Sequence, residues 1–193
     1  AKSRMLLDPE STVASAKRFM GDHNKLYSVG GRQFTPVDIA SLVLKKLVDE
    51  ASEALGQTVH DVVITVPAYF TETQREDTRK AGKKAGLNVL RLAPEPTAAA
   101  VAYGLDKGKD QTIMVYDLGG GTFDVSILEI RGNRFEVKAV GGNSQLGGDD
   151  FDQAIMSWAM GEFKKKTGID LLLTKGREVI IARQRLKEAS ETA

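Results

Sequence analysis

Apolar and polar positions along the chain follow two alternating periods. Thr35-Pro36-Val37-Asp38 opens a helix, with a capping threonine, a proline in the first turn and an acid at the third position. Ile39, Leu42, Val43 and Leu47 then recur on one face as far as Gly56, which predicts an amphipathic helix. Val62-Val63-Ile64-Thr65-Val66 is a near-continuous apolar run, the pattern of a strand buried on both faces, and Pro67 ends it. Thr71 caps a polar helix reaching to Gly86; a strand over 89–92 and an alanine-rich helix over about 96–103 follow. Residues 113–128 place two β-branched-rich stretches on either side of a triple glycine, which reads as two strands joined by a tight turn. Gly132-Asn133 leads into a third strand over 135–140, so three antiparallel strands surround that turn. A glycine-rich loop over 141–148 precedes a long helix from about Asp149 to Lys166. Trp158 lies on its apolar side, as a core residue would, and Lys164-Lys165-Lys166 suit the dipole of its last turn. The first 35 residues carry weaker signals: Ser11-Thr12 cap a short helix through Val13, Lys17 and Phe19, ended by Gly21, and Gly30-Gly31 turn a small hairpin. Strands and helices alternating at this spacing predict an α/β layer structure.

Composition narrows the picture by exclusion. A chain of 193 residues can bury one good core or divide between two small domains. A net charge of +1 gives no electrostatic case for nucleic acid or an anionic membrane. With no cysteine there is neither a disulfide framework nor a thiolate zinc site. His23 and His60 stand in polar, turn-like contexts without a partner at metal-ligand spacing and read as surface residues. No stretch reaches transmembrane length and no signal pattern opens the chain, so a soluble, cytoplasmic protein is expected. There is no GxxxxGK[ST] loop and no helix-opening GxGxxG, which removes the P-loop and dinucleotide-binding classes.

The chemistry concentrates at Asp117-Leu118-Gly119-Gly120-Gly121-Thr122-Phe123-Asp124. Three consecutive glycines are entropically expensive in a plain hairpin. They let main-chain N–H groups approach a ligand closely, and such concavities suit an anion. Thr122 adds a hydroxyl, and the carboxylates of Asp117 and Asp124 suit a hard cation such as Mg²⁺, directly or through water. A glycine hairpin with two solvated carboxylates is the competing structural reading.

The run DLGGGTFDVSIL (117–128) resembles the second phosphate-binding signature of the Hsp70 (DnaK-type) chaperones, members of the actin-like ATPase superfamily. The resemblance continues through VITVPAYF (63–70), EPTAAAVAYGLDKG (95–108), LGGDDFD (146–152) and QRLKEA (184–189), in the family's order. It implies a partial actin-like ATPase fold (ribonuclease H-like) made of pieces of two lobes. Residues 1–35 would be a remnant of subdomain IB, 36–107 the main part of IA, 108–146 the start of IIA with the phosphate hairpin, and 147–193 the start of IIB. It further implies ATP/ADP with Mg²⁺, and K⁺ as an additional cation. Gly119, Gly120, Gly121 and Thr122 would hold the β/γ-phosphates, and Asp117 and Asp124 would organise the metal's hydration shell. Lys17 and Glu95 would position the attacking water and stabilise developing charge, and Gly147 and Gly148 would approach the phosphates from the other lobe. Pro67 and Arg75 match the family's proline switch and relay arginine, and Arg91 a position of J-domain coupling. The implied partners are a J-domain co-chaperone, a nucleotide exchange factor and unfolded client polypeptides held by a substrate-binding domain. Ala93-Pro94 departs from the family's usual pair before the glutamate, and a proline there fixes the backbone; this bears on co-chaperone response more than on the chemistry.

Three functions compete at this point: an ATP-driven chaperone, another actin-like phosphotransferase such as a sugar kinase, and a non-catalytic piece that associates without using ATP. Both ends of the chain look cut, the first without methionine and the last inside an amphipathic pattern. The chain alone is therefore expected to bind ATP weakly or not at all, to leave strand edges exposed, and to self-associate.

Overall fold

The computed structural model describes residues 8, 11–104, 109–174 and 176–193. The sequence punctuation is realised at most element ends. Strands β1 (Tyr27–Val29) and β2 (Arg32–Phe34) form the small hairpin, with Val29 opposite Arg32 across Gly30-Gly31. Helix α1 (Pro36–Leu55) starts in a full capping box, because Thr35 accepts from the Asp38 N–H while the Asp38 carboxylate accepts from the Thr35 N–H. It ends at Gly56 in the left-handed conformation, as a glycine stop should. Strand β3 (Asp61–Val66) runs parallel to β4 (Asn88–Pro94). Between them lies α2 (Glu72–Lys84), opened by a second capping box of Thr71 and Gln74. Gly82 packs α2 onto this pair so closely that a Cβ there would sit 2.4 Å from Val89 Cγ2. Helix α3 (Glu95–Ala102) leaves the end of β4 directly.

The second half is a meander. Strands β5 (Gln111–Leu118), β6 (Phe123–Arg131) and β7 (Arg134–Asn143) pair antiparallel in the order β5-β6-β7, with Gly132-Asn133 closing the second hairpin. Leu128 and Ile130 of the central strand are fully buried. Helices α4 (Gly148–Thr167) and α5 (Arg177–Glu191) pack on each other, with Met156 and Met160 inside. A separate cluster of Met20, Val66 and Phe70, flanked by Val37, Ala40 and Leu92, joins the N-terminal segment to the β3–β4 layer. No helix among the described residues is long and apolar enough to cross a membrane.

Four expectations need correction. The short helix capped by Ser11-Thr12 is instead a 3-10 helix over Ala16–Phe19, because the Thr12 hydroxyl donates backwards to the Asp8 carbonyl and Ser15 adopts a left-handed φ of 54°. Strand β3 is not buried on both faces: burial alternates, and Val63 is 49% exposed. On α1, Leu42, Val43 and Leu47 are each more than half exposed, because the helix packs through another face, where Val37 and Ala40 meet the Met20–Val66–Phe70 cluster and Ser41 is buried. Trp158 is 69% exposed and lies outside the core. His60 is exposed as expected; His23 is exposed too, but its Nε2 lies 3.0 Å from the Asp77 carboxylate.

Candidate functional site

The β5–β6 register fixes the site's first two carboxylates. Asp117 stands directly opposite Asp124, and Leu118 opposite Phe123, so residues 119–122 must span the two strands as a tight turn. The turn is closed by the Gly119 N–H donating to the Thr122 carbonyl at 2.9 Å. None of its glycines takes a positive φ. Close approach limits Gly121 within the turn and Gly147 beside it. A Cβ on Gly121 would lie 3.0 Å from Arg18 Nε, and one on Gly147 would lie 2.5 Å from both the carbonyl carbon and the oxygen of Gly120.

Two other parts of the chain complete the site. Helix α3 begins with Glu95, and the 3-10 helix presents Lys17, whose Nζ donates to Glu95 Oε1 at 2.8 Å although the two stand 78 positions apart. Pro67, Glu95, Asp117 and Asp124 bound a small cavity of about 10 Å³, enough for a single water. Asp124 Oδ1 is buried without a hydrogen-bond partner, as is the nearby Tyr69 hydroxyl. Burial pushes the Asp124 carboxyl above the usual carboxylate range; the charges of Glu95 and Asp117 act in the same direction, and Thr122 and Lys17 oppose it. Burial likewise raises the Tyr69 phenol, with the Asp124 charge adding to it. An orphaned carboxylate oxygen in a pocket of accumulated negative charge is the environment of a cation or its hydration water. Among the described residues no three acidic or imidazole side chains converge as direct metal ligands. The residues present therefore fit Mg²⁺ held through water, which that ion favours.

The backbone of the turn is polarised. Its carbonyls face one side: the Gly119 oxygen accepts from the Gly148 N–H at 3.0 Å, the Gly120 oxygen from the Asp149 N–H at 2.9 Å, and the Gly121 oxygen from Arg18 Nε at 2.6 Å. The N–H groups of Gly120 and Gly121 have no acceptor among the described residues. These are the donors an anion would meet.

Gly147 and Gly148 meet this turn at the start of α4. They pack against the turn from behind, and their N–H groups are already spent, on the Asp150 carboxylate and on the Gly119 carbonyl. The remaining residues of interest lie around the site. Pro67 ends β3 and is fully buried. Arg75 donates to the carbonyls of Ala68 and Phe70, both at 3.0 Å, holding the 67–70 loop to α2. Arg91 is an exposed residue of β4, away from the turn. Pro94 forms the last pair of β4, opposite Val66, and sets the start of α3 with φ −62°. Sequence reasoning missed Arg18, Tyr69 and Asp150; a lone arginine beside a lysine gives no signal of a partner more than a hundred residues away. The family model described as Hsp70 protein matches residues 23–193, and with the acid-flanked glycine turn and its Lys17–Glu95 pair in place, the chain belongs to the Hsp70 family.

Proposed function

We propose that this chain carries the phosphate-gripping half of a nucleotide site that drives an ATP-dependent chaperone of the DnaK type, as part of a larger actin-like nucleotide-binding domain. Hsp70 family members are ATP-binding chaperones with ATPase activity, and their nucleotide-binding domains bind ATP or ADP with Mg²⁺. The observation that carries the reading is the convergence of Lys17 and Glu95 on the Asp117–Asp124 hairpin from separate parts of the chain. Phosphoryl transfer is mostly positioning and electrostatic stabilisation, and each residue has such a task. The free N–H groups of Gly120 and Gly121 receive phosphate oxygens, with the Thr122 hydroxyl beside them. Asp117 and Asp124 order the waters of a divalent cation; when bound, that cation neutralises phosphate charge. Glu95 orients the attacking water and accepts its hydrogen bond, while the Lys17 ammonium faces the charge that develops on the transferred group. The subdomain assignments of 1–35, 36–107, 108–146 and 147–193 belong to the same reading. So do the coupling roles of Pro67, Arg75 and Arg91 toward a J-domain co-chaperone, a nucleotide exchange factor and client polypeptides.

Single-turnover hydrolysis in a full-length chaperone carrying this segment tests the proposal. Asp117→Asn should slow the chemical step by roughly 10²-fold, the usual consequence of losing one preorganised electrostatic contact. Lys17→Ala should nearly abolish hydrolysis while ATP affinity stays close to normal, the mark of an interaction made mainly in the transition state. Equal losses of affinity and rate in Lys17→Ala would remove it from the chemistry. The chain by itself should bind Mg-ATP weakly and release no phosphate steadily, since one hairpin grips a nucleotide from one side only. Micromolar one-site binding with steady turnover would overturn that part.

A further inference from the structure

We infer that Arg18 is a positioning residue for the phosphate turn: it holds the Gly120 and Gly121 carbonyls on one side, so that the N–H groups of the same two peptides, those of Gly121 and Thr122, face the other. The inference rests on the proposed phosphate-binding role of that turn, but the clamp itself is visible in the contacts. Arg18 Nε donates to the Gly121 carbonyl at 2.6 Å and Nη2 reaches the Gly120 carbonyl at 3.5 Å. The same guanidinium pairs with Asp150, Nη2 to Oδ2 at 2.6 Å and Nη1 to Oδ1 at 3.4 Å. Asp150 in turn accepts from the Gly147 N–H at 2.8 Å, closing the first turn of α4. Beside it, the Ser15 hydroxyl donates to Asp149 Oδ2 at 2.6 Å.

Three separate pieces of chain thus meet at one planar fork: the 3-10 helix, the glycine turn and the start of α4. Each piece is weak alone. Three glycines in a row have broad conformational freedom, and among the described residues no hydrogen bond within the hairpin holds the Gly120–Gly121 or the Gly121–Thr122 peptide. A peptide flip there would turn a carbonyl oxygen toward an incoming phosphate and repel it. Arg18 opposes the flip by engaging two carbonyls at once with a rigid set of donors, a geometry lysine does not supply. The Arg18 side chain is only 17% exposed, so its hydrogen bonds are weakly screened. The position next to Lys17 has a further consequence. Anchoring Arg18 on the turn also places the lysine on the opposite side of the same short helix, toward Glu95. One short segment therefore sets the turn's polarity and supplies the cation of the site.

Amide hydrogen exchange on the full chain, without nucleotide, tests the clamp. The amides to watch are those of Gly119, Gly148 and Asp149, which donate within the clamped assembly. In Arg18→Met their exchange should accelerate by at least about tenfold, the equivalent of one charge-assisted hydrogen bond. Amides of Leu128 and Ile130 in β6 should keep their rates. Arg18→Lys, which keeps the charge and the stem, should still pair with Asp150 but leave the three amides faster than in the unaltered chain. Unchanged exchange at the three amides in Arg18→Met overturns the inference. So does an equal acceleration in β6, which would mean general destabilisation; if Arg18→Met fails to fold, Arg18→Lys gives the same comparison. A second arm judges the phosphate reading separately. Millimolar Mg-ATP should shift the NMR signals of the Gly121 and Thr122 amides in the unaltered chain, and about tenfold less so in Arg18→Met at equal concentration. Mg-ATP that shifts other amides of the unaltered chain while Gly121 and Thr122 stay silent would sink the phosphate role of the turn, and the exchange data still decide the clamp.

Discussion

The β5–β6–β7 meander and the α1/β3–β4 layer were built from similar apolar patterns, yet they end in different states. In the meander, Leu128 and Ile130 are shut in completely and every strand of the expected set is paired. In the layer, a strand with a nearly continuous apolar run has one partner among the described residues, and Val63 and Leu90 stand 49% and 60% exposed on its surface. Helix α1 repeats the contrast: its caps form as the sequence dictates, but its apolar stripe of Leu42, Val43 and Leu47 faces outward. Periodicity states which face of an element wants cover; whether cover arrives depends on elements elsewhere. The glycine turn sits on the completed side of this divide, and Lys17 belongs to the other side, donating to Glu95 at the start of α3.

The comparison can be broken by substitution. Leu128→Ala should have the largest effect on stability, about 2–5 kcal/mol for a buried leucine truncated in a closed core, read from the urea midpoint. A loss under about 1 kcal/mol would mean that the meander is no better packed than the layer. Gly147→Ala comes next. Its Cβ would meet the Gly120 backbone at 2.5 Å, where neither side can yield without shifting the turn. Overpacking of this kind usually costs about 1–3 kcal/mol, and here the start of α4 should also lose its Gly148 and Asp149 hydrogen bonds, visible as faster exchange at those amides.

Asp124→Asn should act in the opposite direction. The folded state raises the Asp124 carboxyl above its unfolded value. The native chain therefore binds its proton more tightly, and stability falls as pH rises from near the unfolded value of about 3.9 through the raised one. An amide removes that titration. The variant should melt higher than the unaltered chain at neutral pH, and the gap should close on acidification to about pH 4; a variant less stable at pH 7 would show that the carboxylate is satisfied as it stands. Smallest of all, Leu47→Ala should change stability by less than about 0.5 kcal/mol, as for an exposed site. A loss of several kcal/mol, or a strong concentration dependence abolished by the change, would show that the α1 face is covered in solution.

The local features were legible in the sequence because short-range physics decides them. Thr35 and Thr71 capped their helices through side chains three residues away, Gly56 stopped a helix through its own φ, and Gly132-Asn133 closed a hairpin between adjacent strands. The acid-glycine-threonine turn was legible for the same reason, since its residues are contiguous. Ser11-Thr12 misled because a neighbouring backbone carbonyl took the hydroxyl that would have capped the helix. The remaining decisions belonged to tertiary structure. Lys17 has its partner 78 positions away, and Arg18 reaches Gly121 and Asp150 at separations of 103 and 132. The N–H groups of Gly147 and Gly148 are taken up by the Asp150 carboxylate and the Gly119 carbonyl, partners that no local pattern announces. Burial of Trp158, of both faces of β3 and of the stripe on α1 also depended on distant neighbours, and among the described residues none covers them. A residue's chemistry is written in its side chain, whereas its solvation and its partners are properties of whatever the rest of the chain brings beside it.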